Sequence, residues 1–282
     1  MNVDLIKKLR EETKQSFVEI KKALTACNGD YACAKHALNQ MIKEQTPSKR
    51  VASKGMVNVM TKDHTAILLE ITAETDFAYK NPDFIKLFDT IFSLLFTHQP
   101  DSLEALNQLE INKVSVKHYV QMMATKISEH IEIRRFDIKQ KEAHHTFGTY
   151  THHDGKNACL VVLDKANDTL EKTIPMQAVA MDALCIDASY LSEEALELLK
   201  KAYDEDAQNM PTFQAYLNLK SLYKLPYIYN QDISIETLLK EEKTNILYFH
   251  RYQLGEGIKD KLMCRLNLSD TKPISVTPIF KR

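Results

Sequence analysis

Three groups of residues have side chains of the kind that do chemistry. His144-His145 and His152-His153 lie close together with Cys159 beyond them, and hairpin strands could gather four imidazoles and a thiol around a transition metal. Adjacent residues on a strand point to opposite faces, however, so one histidine of each pair at most faces a common site. Two ligands without a clear carboxylate make a poor metal site; the plainer reading is a polar strand end and turn. Cys27-x5-Cys33 lacks the spacing of a zinc half-site, and in a small helical module a cysteine is commonly a buried hydrophobe. The third group is Thr75-Asp76-Phe77-Ala78-Tyr79-Lys80-Asn81-Pro82. An apolar strand ends at Glu74 and a helix starts at Asn81, which leaves an acidic and an aromatic residue side by side on a short loop. The pair could serve its own fold, with Phe77 tucked into the core and Asp76 capping a turn, or it could face a partner. With no Walker A loop, GxGxxG, GxSxG, HExxH or paired CxxC, no catalytic set assembles. The expectation is a protein that is not an enzyme and carries no metal and no cofactor.

Composition narrows the classes further. The 282 residues carry 37 Lys+Arg against 38 Asp+Glu, so the strongly basic balance of a nucleic-acid binder is absent. A length of this order predicts about two domains, and 44% hydrophobic with 27% charged residues is globular composition. Apolar runs such as Ile67-Leu68-Leu69 and Leu94-Leu95-Phe96 fall far short of the ~20 residues of a membrane span. The start Met1-Asn2-Val3-Asp4-Leu5 has no apolar leader region. Five scattered cysteines do not make a disulfide framework. The pattern predicts a soluble, cytoplasmic protein in a reducing compartment, with no nucleic acid and no membrane as partner. Six glycines and no Trp leave little room for an enzyme built on several Gly-rich loops.

The elements that would position these residues follow from periodicity. Leu5, Ile6 and Leu9, then Phe17, Ile20, Ala23 and Leu24, then Ala34, Leu38, Met41 and Ile42 recur at helical spacing. Asn28-Gly29-Asp30 separates the second and third of these helices as a C-terminal turn and an N-cap. Residues 1–45 thus read as a three-helix module, closed by Pro47 and followed by a basic linker over 46–54. Gly55 to Ile71 reads as a hairpin, and Asn81-Pro82 as a helix start whose helix buries Phe84, Ile85, Phe88, Ile91, Phe92 and Leu95. A helix from about Val114 to Lys126 leads into a strand from Ile127 to Phe136. Gly148 to Leu163 repeats the hairpin, and a helix over about Thr169–Leu184 repeats the covering element. Two such units imply an internal duplication. The resulting fold class is α+β, with antiparallel sheets covered by helices. A first core subdomain spans 55–143. A second spans 144–258 and carries a helical hairpin at about 193–222, and 259–282 forms a tail.

The stretch Thr75-Asp76-Phe77 resembles the Thr-Asp-Phe signature of the elongation factor Ts family. Leu9-Arg10-Glu11-Glu12-Thr13, Lys21-Lys22-Ala23-Leu24 and Asn28-Gly29-Asp30 are similar to that family's N-terminal module, which resembles a ubiquitin-associated three-helix fold. Ile127-Ser128-Glu129-His130-Ile131-Glu132-Ile133-Arg134-Arg135 is similar to its I-G-E-N-I-x-I-R-R, and Gly255-Glu256-Gly257-Ile258 to its late G-E-G-I. These motifs keep the family's order over residues 3–258. Departures are the run Lys14-Gln15-Ser16-Phe17-Val18-Glu19-Ile20 where the family has T-G-A-G-M-x-D-C, and Pro175-Met176-Gln177, which sets proline at an early helical position. The helical arm is shortened, and no last helix is recognisable over Leu262–Phe280.

The resemblance implies a guanine nucleotide exchange factor whose partner is elongation factor Tu. Phe77 would enter an apolar gap in the partner's G domain, Asp76 would help displace the elements that hold Mg²⁺, and Thr75 belongs to the same element. Arg10, Phe17, Val18 and Lys21 would dock the helical module. Met176 and Gln177 would reach the partner's phosphate-loop side or its third domain. Two other classes stay open from sequence: a protein-binding adaptor of the same fold without exchange activity, and a His-cluster metal protein.

Overall fold

The computed structural model describes residues 3–13, 15–44, 52–206 and 210–256; the tail over 259–282 and most of the basic linker lie outside them. Three helices come first, α1 (Val3–Thr13), α2 (Phe17–Ala26) and α3 (Tyr31–Glu44). Their apolar stripes meet in one cluster of Ile6, Leu9, Ile20, Ala23, Leu24, Ala34 and Leu38. The missing family glycines are replaced by a capping box. Ser16 Oγ accepts the Glu19 N–H at 3.3 Å and the Glu19 carboxylate accepts the Ser16 N–H at 3.2 Å, which sets the entry to α2 without glycine. Asn28 (φ 53) and Gly29 (φ 83) turn the chain, and Asp30 Oδ1 accepts the Cys33 N–H at 2.6 Å. The structure departs from the cysteine expectation. Cys27 and Cys33 form a disulfide with Cα atoms 5.7 Å apart, because the tight turn brings the end of α2 against the first turn of α3 at bridging distance. Cys33 is exposed rather than a buried hydrophobe.

Beyond them the chain runs through β1 (Lys54–Lys62), β2 (Thr65–Ala73), α4 (Pro82–His98), α5 (Leu103–Gln108), β3 (Glu110–Ile111), β4 (Val114–Ser115), α6 (Val116–Ile127) and β5 (Ile131–Gln140). It continues with β6 (Thr146–Thr151), β7 (Asn157–Leu163), α7 (Asp168–Ala180), α8 (Glu193–Asp206), α9 (Phe213–Lys220), β8 (Pro226–Tyr227), β9 (Asn230–Ser234), α10 (Ile235–Glu241) and β10 (Ile246–Gln253). One three-stranded sheet has the order β1-β2-β5 and the other β10-β7-β6. Each copy therefore contains a hairpin, two or three helices, a miniature hairpin (β3-β4 or β8-β9), one more helix, and a last strand that pairs with the second. This is the α+β duplication in full. Two compact units can be distinguished, Met1–Gly55 with Ile71–Arg135 and Met56–Glu70 with Phe136–Arg282.

In the first unit α4 buries Phe84, Leu87, Phe88, Ile91, Phe92 and Leu95 along one face. The expected Ile85 is 45% exposed, since it lies one position off that stripe. In the second unit β7 is buried on both faces, which is why it reads as an unbroken apolar run. Cys159, Val161 and Leu163 join Leu170, Ile174 and Ala178 of α7, while Ala158 and Leu160 join Val57, Ala66, Leu68 and Tyr252. Pro175 stands inside α7, not near its start. Proline cannot donate to the carbonyl four residues back, which is that of Glu171, and there Gly148 of β6 approaches so closely that a Cβ would lie 2.8 Å from Glu171 O. The segment read as a strand from Ile127 is helix to Ile127 and strand only from Ile131, because Ser128 turns the chain at φ 62. α8 and α9 form the short helical hairpin, packed through Leu199, Leu217, Phe213 and Tyr216. Gly255 donates its N–H to the buried Glu70 carboxylate at 2.8 Å, so the first half of the late Gly-Glu motif ties β10 to β2. Among the described residues no helix is long and apolar enough to cross a membrane.

Candidate functional site

The loop between β2 and α4 is built from its ends inward. At its far end Asn81 Oδ1 accepts the Asp83 N–H at 2.9 Å and Pro82 occupies the first turn, a combination that starts α4 sharply. At its near end the Glu129 carboxylate accepts the Thr75 N–H at 3.0 Å and also the Thr75 hydroxyl. The same hydroxyl accepts the Phe77 N–H at 3.3 Å. A 3₁₀ turn over Ala78–Lys80 completes the loop and buries Ala78. Between these anchors the chain turns outward, and Phe77 is 82% exposed. Of the two alternatives open from sequence, a ring tucked into its own core is therefore not what this loop adopts. The Asp76 carboxylate is half exposed and lies 3.5 Å from Lys54 Nζ, a pair of the loose surface kind that contributes little to stability. The outcome is a large apolar side chain beside a carboxylate that is free to exchange partners, both on a loop with fixed ends.

The corresponding loop after β7 is organised differently. Asp164 Oδ1 accepts from the Thr244 hydroxyl at 2.7 Å and the Asn245 N–H at 3.0 Å, and its Oδ2 from the Asn245 amide at 2.8 Å. Burial raises the carboxyl pKa, but those hydrogen bonds and the charge of Lys165 outweigh it and hold Asp164 below the usual carboxylate range. Further along, Gln177 is 0% exposed. Its amide donates to Pro226 O at 2.6 Å and its carbonyl accepts the Ile228 N–H at 2.9 Å, so both ends of the side chain are committed to the β8-β9 hairpin. Met176 is half-buried. The exposed apolar residues nearby in the fold are Ile228 and Tyr229 at the hairpin tip, which sequence reading missed; the turn-rich Pro226-to-Asn230 stretch was their one signal.

Arg10, Phe17, Val18 and Lys21 are all exposed on α1 and α2. Phe17 and Val18 are thus apolar residues on the surface at the start of α2, outside the buried cluster of that module. Among the histidines the structure brings His144 and His145 together with Glu142, their ligand atoms all within 4.8 Å of one another on an exposed turn. The carboxylate that the sequence pattern lacked is therefore present there. His152 is engaged elsewhere, its Nδ1 3.0 Å from the Tyr150 hydroxyl. The four imidazoles do not converge.

The loop at 75–83 thus presents an exposed ring and a half-exposed carboxylate side by side. A family model described as Elongation factor TS matches residues 74–256, from the start of this loop to the late Gly-Glu motif. The chain is 31% identical over 278 residues to the Elongation factor Ts of Azoarcus sp. (strain BH72), covering 93% of each chain. It is 27% identical over 280 residues to the Elongation factor Ts of Oenococcus oeni (strain ATCC BAA-331 / PSU-1), covering 94% of this chain and 95% of the relative.

Proposed function

The chain belongs to the elongation factor Ts family, and on that premise we propose that it binds elongation factor Tu carrying GDP and speeds release of the nucleotide so that GTP can enter. No covalent bond changes in this process, and it takes place with the translation machinery in the cytoplasm. Exchange is linkage: a protein that binds the nucleotide-free partner more tightly than the GDP complex weakens GDP binding by the same coupling energy. To raise the rate it must act within the ternary complex, by straining the nucleotide site while GDP is still there.

The observation that carries this reading is Phe77, 82% exposed on a loop anchored at both ends. Burying a Phe side chain is worth about 1.5–3 kcal/mol, and each ~1.4 kcal/mol is tenfold in a rate. Insertion of this one ring into an apolar gap of the partner's G domain therefore supplies a substantial share of an exchange factor's effect. Asp76, exchanging its loose partner Lys54 for groups around the partner's Mg²⁺ site, would displace the elements that hold the ion and leave the GDP phosphates less neutralised. Arg10, Phe17, Val18 and Lys21 would dock the helical module on the G domain. Met176, with the hairpin that Gln177 holds, would give the second repeat its own contact with the partner's phosphate-loop side or third domain.

Stopped-flow release of labelled GDP from elongation factor Tu tests the reading. Phe77→Ala should slow stimulated release at least tenfold, about 1.4 kcal/mol of transition-state coupling, with an unchanged melting curve. Wild-type acceleration by that variant would remove Phe77 from the mechanism. A wild-type protein that binds the partner without speeding release would be an adaptor of the same fold.

A further inference from the structure

We infer that Glu129 is the positioning residue of the Phe77 loop: a single carboxylate 54 positions along the chain sets the direction in which the loop presents its ring. The inference rests on the exchange reading above and specifies how that site is held. An ionised carboxylate only accepts hydrogen bonds, so the one proton of the Thr75 hydroxyl is committed to Glu129 and its lone pairs face the other way. There the Phe77 N–H donates to it at 3.3 Å. The second carboxylate oxygen holds the Thr75 N–H at 3.0 Å. The order Glu129, Thr75, Phe77 is thus polarised in one sense, and without the carboxylate the hydroxyl is free to rotate away from the Phe77 backbone.

Glu129 is itself fixed by the end of α6. Ser128 adopts the left-handed conformation and the Glu129 N–H closes back on Ala124 O at 3.1 Å, a helix stop that leaves little play in the next residue. One turn earlier Lys126 pairs with Asp83 in the first turn of α4. The last turn of α6 therefore holds the segment 75–83 from both sides. The two grips differ in strength: the lysine pair is a surface ion pair of the kind that contributes little, whereas the part-buried carboxylate takes two charge-assisted bonds from one residue. Glu129 makes neither bond to the Phe77 ring, so it acts through the backbone.

The test uses the full-length protein and elongation factor Tu loaded with labelled GDP. Glu129→Ala should lower the limiting rate of GDP release about tenfold, the size of one hydrogen bond to a charged group. The half-saturating concentration should move by less than about twofold, and the loss should vanish when Glu129→Ala is made in a Phe77→Ala background, because both changes act on one ring. Glu129→Gln keeps an acceptor oxygen for Thr75 and should recover part of the rate. A melting temperature within about 3 °C of wild type separates the effect from unfolding, and Thr75→Ala, which removes only the hydroxyl relay, should reproduce it in case Glu129→Ala folds poorly. Wild-type exchange by Glu129→Ala or Thr75→Ala, or losses that add fully to that of Phe77→Ala, would overturn the assignment. Should Phe77→Ala slow release while Glu129→Ala does not, the exchange reading stands and only this inference falls; wild-type release by Phe77→Ala removes both.

Discussion

The loops that leave β2 and β7 hold the same place in two copies of one topology, yet they invert the same hydrogen bond. In the first copy the loop donates, through Thr75, to a carboxylate just ahead of the closing strand, Glu129. In the second the loop carries the carboxylate, Asp164, and the residues ahead of the closing strand, Thr244 and Asn245, donate to it. Either polarity joins the loop to its sheet. The difference lies in what remains: the first arrangement ends at Thr75 and leaves the next two residues facing out, with an aromatic ring among them, whereas the second offers only Lys165 and Ala166 as exposed residues. Duplication supplied one scaffold, and its two copies place the acid on opposite sides of the same contact.

The sharpest way to break this comparison is to remove the inward acid. Asp164→Ala strands three donors and should cost about 2–3 kcal/mol of stability in denaturant melts without slowing GDP release by the folded protein. A wild-type melt would show that the second loop is not held by this acid. The sign of its pH dependence follows from its lowered pKa. A carboxylate held below its ordinary value contributes stability that is full above about pH 4 and is lost as pH falls through the folded value. The gap between wild type and Asp164→Ala should therefore close on acidification. A gap that stays constant into strong acid would contradict the hydrogen bonding described.

A second contrast concerns the glycines that open the two hairpins. Gly55, at φ 124, lies against the Ile71 backbone, whereas Gly148 lies against the α7 carbonyl that Pro175 leaves without a helical donor. Gly148→Ala should cost about 1–3 kcal/mol by overpacking at that contact. The double variant Gly148→Ala with Pro175→Ala shows whether the two positions are coupled, and additive losses would mean they are not. The smallest effect belongs to Ser128. An L-residue in the left-handed region costs about 1–2 kcal/mol, so Ser128→Gly should raise the melting temperature by a few degrees while leaving the Glu129 contact in place; no gain would mean the Ser128 turn is unstrained.

Much of this architecture was legible from spacing. The three N-terminal helices, both long hairpins and the start of α4 at Asn81-Pro82 follow from periodicity and caps, and the motif order pointed to the loop at Thr75. What escaped was structure whose cause lies far away in the chain or in backbone conformation. Ser128 stops α6 in a conformation usually marked by glycine, so the apolar pattern suggests a strand four residues before the real one starts at Ile131. The β3-β4 hairpin turns through Asn112 and Lys113, both at positive φ, and a lysine there gives no turn signal. The interior position of Pro175 makes sense only beside Gly148. Glu129 lies within a recognisable motif, but its hold on Thr75 depends on the register between β2 and β5, which no local pattern encodes. Cysteine counts do not reveal the Cys27–Cys33 disulfide, for which the turn at Asn28-Gly29 is the better guide.

The two-sided hold of α6 on the loop has a mechanical meaning. When two elastic bodies are pressed together, the displacement goes to the softer one. A ring on a slack loop would fold back as it met its partner and leave the other protein undistorted. With Thr75 and Asp83 both tied to the end of one helix, the loop resists folding back, and in the exchange proposed above the strain of contact would pass to the partner.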